Sequence, residues 1–597
     1  MASGSKAPRW KLDTVYPGYE SAEYRRDRAE LVKASRALIT KLNDSVSKKK
    51  TPEKWLTYLL KKIDSAYALY ANLESYIYCR YATDTRDEET LAELNSMEED
   101  VLQLKEAEVT LRNELFGLRK QLPGLYKASK TAERFRFYLN EQLLLQSRQM
   151  SPAEENLAAD LSRAGGDAWG RLQETVSSNL SVPWKGDETK TVVELRSLAM
   201  HKDRTVRQKA YEKELDAWKS MEIPLAAALN GVKGFAVILD ERRHYESSLD
   251  HAALLSRISP KALDALIGVM EKNLPVFRRY LKAKAKLIGV SRCAFYDLFA
   301  PVDATGKEWS FADARKFIVG QFNTFSSELG DFAESAFKQG WIDARPRKGK
   351  VGGAFCTFMP LAGESRILAN FDGSFDSVAT IAHELGHAYH GSVMKDLPAL
   401  HQDYPMTLAE TASIFCETIV FNRALDSAEN DGERIGVLEL FLQGATAVIV
   451  DILSRFKFEK AVFERRKAGD LSPAEFSDLM IQAQMDTYGD GLDKKQLHKY
   501  MWAVKSHYYS ADLSFYNYPY AFGLLLGLSL YANYTTEPQG FPNRYKKLLQ
   551  QTGQATAGEV TRGAGFDIES AEFWQSGIDV IARRVSEFSK LVTKATR

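Results

Sequence analysis

Apolar residues recur three and four positions apart through most of the chain, the period of a helix with one buried face. In "TPEKWLTYLLKKIDSAYALY", Trp55, Leu59, Ile63 and Tyr67 follow one another at intervals of four. Thr51 is suited to the N-cap there and Pro52 to the first helical position. A second long helix is marked by Leu94, Met97, Val101 and Leu104, and "SPAEENLAADLSRAG" is a further capped helix that stops at Gly165. The stretch "SSNLSVPWKGDETK" breaks this pattern with Pro, Gly and polar residues, which puts a lobe boundary near residue 190: an N-terminal helical lobe over 1–190 and a second domain over 191–597. From "TVVELRSLAMHKDRTVRQKAYEKEL" the helical period resumes for about a hundred residues. It changes again at "RPRKGKVGGAFCTFMPLAGESRILANFDGSF", where "GAFCTFM" and "RILANF", joined by "PLAGES", predict a hairpin. Helices follow to the end of the sequence. The pattern therefore predicts a mostly α protein with one small sheet.

One segment needs separate treatment. From Leu513 to Thr536 there is no charged residue, a length able to cross a bilayer. It contains Asn517, Pro519, Asn533 and several tyrosines, and its apolar part, Ala521 to Leu530, is too short to span alone. A buried helix beside a functional site is expected. The chain's 597 residues exceed one compact core. Its 80 basic and 79 acidic residues leave a net charge of +1, without the basic surplus of a general nucleic-acid binder. Cys79, Cys293, Cys356 and Cys416 lie scattered, as reduced thiols do. "MASGSKAPRWKLD" lacks the apolar run of a signal peptide, so a cytoplasmic protein is expected.

The chemistry concentrates in "IAHELGHAYHGSV", residues 381–393. On a helix His383 and His387, four apart, aim two imidazoles at one point, the spacing with which zinc peptidases hold their metal. Glu384 lies about 100° round the helix from His383, beside such a metal without ligating it. That suits a general base acting on a water whose pKa zinc lowers from nearly 16 to about 7. Against this stands the plain alternative of polar histidines on a solvated face. The helical setting favours the first: Ser374 is a fair N-cap, and "VATIAHELGHAYH" holds no breaker except Gly386. His390 shares the face of His383 but stands about 10.5 Å further along the axis. Zinc–nitrogen bonds of about 2.0–2.1 Å cannot gather both, which leaves His390 a second-shell or packing role. The longer metzincin pattern is excluded, since it needs Gly and His where the chain has His390 and Val393.

A third ligand must come from elsewhere, and "PMTLAETASIFCETIVFNRAL" offers two. Gly391, Pro398 and Pro405 let the chain turn into a second helix, on which Glu410 and Glu417 share a face. Thr407-x-x-Glu410 also reads as a capping box, which would use Glu410 locally, and Glu417 could be a surface charge. Helix geometry leaves both carboxylates open; one of them completes a His₂Glu site with water in the open position.

"HELGHAYH", followed 23 residues after His387 by the glutamate of "AETAS", resembles the oligoendopeptidase F branch of the thimet-oligopeptidase-like metallopeptidases. "YDLFAP", "NFDGSF" and "FYNYPYAFG" extend the resemblance, and "YCRYATDT" and "WKLDTVYP" carry it more weakly toward the start. It implies a two-lobed helical zincin with a small β-sheet beside the active-site helix and a deep central channel. It implies one Zn²⁺ per chain on His383, His387 and Glu410, with Glu417 a second-shell partner. Stabilisation of the oxyanion would fall to His507 with Tyr516, Tyr518 or Tyr520. The spacing from His507 to "FY" is longer than the family's, so which tyrosine takes part stays open. The implied activity is endopeptidase cleavage of short unstructured oligopeptides, with neither nucleic acid nor membrane as partner. The alternatives are a zinc exopeptidase and, further off, a non-catalytic peptide-binding scaffold. An exposed edge of "GAFCTFM" or "RILANF" could hold a peptide through main-chain hydrogen bonds.

Overall fold

The computed structural model of the chain describes residues 7–302 and 307–596. Helix accounts for 72% and strand for 4%, the mostly α architecture that the periodicity predicts. The anticipated helices form at Pro52–Thr83, Glu88–Leu118 and Pro152–Ala164, the last closed by a full capping box of Ser151 and Glu154. Trp55, Leu59 and Ile63 are wholly buried. The interrupting stretch after residue 179 is a two-stranded ribbon of β1 (Ser181–Lys185) and β2 (Glu188–Thr191), turned at Gly186 with φ +57. The left-handed backbone at that turn suits glycine, which has no Cβ to clash.

The chain forms two compact units, and these do not follow a single cut at residue 190. The first unit runs up to Arg148 and adds Lys307–Arg423 and Glu537–Gly565; the second is built from Gln149 onward, Ala424–Thr536 and Phe566 onward. The reason lies in one core. Leu59, Ile63, Leu73 and Leu104 from the opening helices pack in a single cluster with Met359, Leu368 and Leu400, so distant segments complete each other's apolar faces.

That unit also holds the sheet, with β4 (Phe355–Met359) and β5 (Glu364–Leu368) as the anticipated antiparallel hairpin. A third strand, β3 (Ile342–Asp343), pairs parallel with β5. The order β3-β5-β4 makes "RILANF" the centre of the sheet and "GAFCTFM" an edge. Over the sheet lies the helix Phe375–Met394, N-capped by Ser374, whose hydroxyl accepts from the Ser377 amide. Val378, Ile381 and Leu385 on it are fully buried, each worth about 1.5–3 kcal/mol of apolar burial.

In the second unit the uncharged segment is the helix Tyr518–Thr536, buried from Ala521 to Leu530 as expected and packed on Ala571–Ala595. Two other stretches, Glu222–Arg242 and Asp431–Arg466, are long and apolar enough to cross a membrane by length and composition. In each, 56% of the apolar window is buried inside the protein, as in a core helix.

Candidate active site

Gly386 brings two helices together. A Cβ on it would stand 2.6 Å from the Ala412 carbonyl oxygen and 2.6 Å from Ser413 Cα, both backbone atoms of the helix Met406–Ser427. Only glycine permits that crossing. Gly391, one turn and a half later, has the ring of Phe358 2.8 Å from the same position, which seats the helix against β4. These contacts fix where the histidines point.

His383 Nε2 lies 3.2 Å and His387 Nε2 3.5 Å from Glu410 Oε2. One ligand atom from each of the three residues falls within 4.8 Å of the others. Glu417 stands elsewhere, accepting a hydrogen bond of 2.9 Å from His383 Nδ1. The two carboxylates, two turns apart on one helix, therefore hold opposite edges of one imidazole. The helix begins at Met406, so Thr407 is inside its first turn and Glu410 does not close a capping box. Instead Glu410 Oε2 accepts from Ser413 Oγ at 2.6 Å.

The charges follow from these contacts. Burial works against a proton on His383, but hydrogen bonds to Glu410 and Glu417 outweigh it and hold its pKa well above the ordinary value. Burial lowers His387 to about 4. Glu410 is buried too, yet His383 and His387 draw it down to about 2. Burial lifts Glu384 to about 7, with Glu410 and Glu417 adding to the rise and His383 opposing it.

This donor set fits a divalent zinc-type cation. Two imidazole Nε2 atoms and a carboxylate oxygen converge, and Glu417 on Nδ1 fixes the His383 tautomer that leaves Nε2 its lone pair. Glu384 Oε2 is buried beside them without a hydrogen-bond partner among the described residues. His383, Glu384, His387 and Glu410 line a cavity of about 540 Å³, walled by Phe355, Cys356 and Phe358 of β4 and by Gln402, Asp403 and Tyr404.

His390 orients no ligand. It is fully buried, donates from Nε2 to Thr552 Oγ1 at 2.9 Å and stacks on Tyr404 at 4.2 Å. Its second-shell assignment gives way to packing, because its position along the axis points it at the helix Phe541–Gln551 and the residue after it.

The aromatic candidates lie in the second unit. His507 and Tyr516 have ring centroids 5.6 Å apart, and the hydroxyls of Tyr516 and Tyr520 share a hydrogen bond of 2.5 Å. Tyr518 departs from that group: only 1% exposed, it donates to the Ala252 carbonyl at 3.1 Å and accepts from Ser256 Oγ at 2.8 Å. It is a core residue, turned away because it starts the helix on the opposite side from Tyr520. Phe515 precedes the cluster at φ +55, a conformation rare outside glycine, held between Phe456 and Phe463.

Asn517 decides the state of His507. Arg455, which can only donate, gives a hydrogen bond to Asn517 Oδ1 at 3.2 Å. The amide nitrogen Nδ2 therefore faces His507 Nε2, at 2.7 Å, and that ring atom must accept. His507 is neutral with its proton on Nδ1. Burial, then the charges of Arg455, Lys505 and Lys233, push its pKa down to about 3. Sequence reasoning missed Asn517 and Arg455, since the link is a fold contact across 62 residues. The close helix crossing had a signal: the small residues Ala412 and Ser413 opposite Gly386.

Comparison with known proteins identifies the family. The family model described as peptidase family M3 matches residues 197–580, and one described as Oligopeptidase F matches residues 119–181. The chain belongs to peptidase family M3, a family of metallopeptidases. It is 25% identical over 456 residues to an oligoendopeptidase F homolog of Lactococcus lactis, covering 74% of each chain. To the group B oligopeptidase PepB of Streptococcus agalactiae it is 26% identical over 458 residues, again 74% of each. Among solved structures, one of a Chlamydophila abortus protein superposes with a TM-score of 0.83 at 21% identity over 98% of both chains. The oligoendopeptidase-F of Enterococcus faecium gives 0.70 at 17% identity, over 95% of this chain and 100% of the other. These two likenesses establish the fold.

Proposed function

We propose that the protein is a zinc-dependent endopeptidase that cleaves internal bonds of short, unstructured oligopeptides in the cytoplasm. The observation that carries this reading is the convergence of His383, His387 and Glu410 on one point, with the unpartnered Glu384 Oε2 beside it in the same cavity. The names of the curated relatives, oligoendopeptidase F and oligopeptidase, support the substrate class. The free thiols support the compartment.

Zinc, held by His383, His387 and Glu410, would supply a Lewis acid that polarises the scissile carbonyl and acidifies the attacking water. Glu384 takes the water's proton on Oε2 and passes it to the leaving amine. Burial, which brings its pKa to about 7, equips one carboxyl for both halves of that transfer. The peptide lies extended along the edge of β4, where main-chain hydrogen bonds ignore side-chain identity. For neutral His507 and the Tyr516–Tyr520 pair, the role that the family resemblance implies is hydrogen-bond donation to the developing oxyanion.

The test is mass spectrometry of products from a mixed oligopeptide set, with chelator and with zinc restored. Internal cleavage lost on chelation and regained with zinc is expected. Trimming confined to peptide ends would transfer the assignment to an exopeptidase, and absence of any metal-dependent cleavage would overturn it.

A further inference from the structure

The second unit contains a cavity of about 150 Å³ that the proposed chemistry does not use. Its wall carries Arg196, Arg207, Arg455 and Lys505, with Glu214 and Asp451. Buried charges are tolerable when paired, and pairing here falls short. Arg196 is bound to Glu214 at 2.9 Å, and Arg455 to Asp451. Arg207 shares Asp297 with Arg204, at 3.0 and 2.9 Å. Lys505 makes no ion pair or hydrogen bond among the described residues; burial, then Arg455 and Arg196, push its pKa down to about 8 against the smaller opposing pull of Asp451 and Glu214. Five cations thus meet three carboxylates.

Unused donors accompany the unbalanced charge. Arg207 Nε and Arg455 Nε are buried without partners among the described residues, and His498, whose Nε2 lies 3.3 Å from Glu214 Oε1, has no partner there for its Nδ1. The wall also includes a π-helical turn, Ala447–Asp451, that interrupts the helix just before Ile452–Arg466. Such turns displace the backbone ladder by one residue and concentrate at functional sites.

We propose that this cavity is a binding site for a small anion, of the size of phosphate or a carboxylate group, held by Lys505 with Arg455 and Arg196. Two sources share that chemistry: a free inorganic anion and the terminal carboxylate of a peptide. The occupant would act beyond the cavity, because Arg455 continues through Asn517 to His507. An anion on Arg455 would weaken the cationic field that adds to burial in keeping His507 neutral.

The experiment follows thermal unfolding of the full chain as inorganic phosphate is added to chloride-free buffer, for the wild type, Lys505→Met and Lys505→Arg. This readout is independent of peptidase activity. A saturable rise in Tm is expected in the wild type, kept in Lys505→Arg, with apparent affinity at least about 10-fold weaker in Lys505→Met. A non-saturating response in the wild type, or an unchanged one in Lys505→Met, overturns the site. Circular dichroism without phosphate checks that Lys505→Met folds; if it does not, Lys505→Gln takes its place with the same two outcomes. A second arm adds one peptide with a free C-terminus and its amidated twin. Displacement of phosphate by the free acid alone assigns the site to a peptide end; displacement by neither assigns it to the inorganic anion.

Discussion

His383 and His507 are the same side chain in surroundings of opposite sign. Glu410 and Glu417 grip both edges of His383, and the ring is drawn toward its charged form until a cation claims Nε2. His507 is held neutral by burial first, and then by Arg455, which faces it through Asn517, with Lys505 and Lys233. Carboxylates make an imidazole a strong electron-pair donor with a fixed tautomer; cations make it a neutral N–H donor. Under the proposed function the first form suits a metal ligand and the second an oxyanion donor.

The sharpest cut through that comparison leaves both histidines in place. Glu384→Gln removes the proton acceptor while keeping shape, so kcat should fall about 10²–10⁴-fold. Bound zinc, measured by elemental analysis, should remain at one per chain. Loss of the zinc together with activity would show that Glu384 serves the metal and is no base. Next in size, Tyr520→Phe should lower kcat by up to about 10²-fold, the effect of one oxyanion donor. Tyr518→Phe should leave kcat within about twofold and cost about 1 kcal/mol of stability in denaturant titration, the worth of its buried hydrogen bonds. Equal kcat losses in the two variants would return Tyr518 to the site.

Glu417→Ala attacks His383 from its far edge. A residue that orients a ligand is worth about 10–100-fold in metal affinity, so the variant should bind zinc that much more weakly and recover activity at saturating zinc. Glu410→Ala should recover none. If Glu417→Ala is the variant that stays inactive, the two carboxylates have exchanged roles.

How far such assignments could be made from sequence depends on the range of the physics. The i, i+4 histidines and the Ser374 cap are local, and helix geometry places them without knowledge of the fold. The hairpin was legible from its alternation and Gly-bearing turn, whereas β3 has two residues, too few to show any period. Glu410 and Glu417 share a helix face, and only the depth of the crossing at Gly386 decides which reaches both rings. Tyr516, Tyr518 and Tyr520 look alike in a string; the partners of Tyr518, Ala252 and Ser256, lie more than 260 residues away. The unit boundaries were hidden for the same reason, since Met359, Leu368 and Leu400 complete a core begun before residue 148.

The smallest expected effect tests the cationic half of the comparison by titration. In the unfolded chain His507 takes its proton near 6.5, in the folded protein only near 3. Between those values the unfolded chain binds more protons, so this contribution to stability is full above pH 6.5 and is lost as pH falls toward 3. Asn at this position does not titrate. His507→Asn should therefore flatten the decline of the unfolding free energy across that window relative to the wild type, measured by urea titration at a series of pH values. The acid limb of kcat/KM belongs to Glu384, which must be unprotonated to act as base and is raised to about 7 at most before a bound cation lowers it. In His507→Asn that limb should keep its position while the plateau drops. A limb that moves with the substitution would mean that His507 changes its charge during turnover and that its cationic neighbours do not hold it neutral.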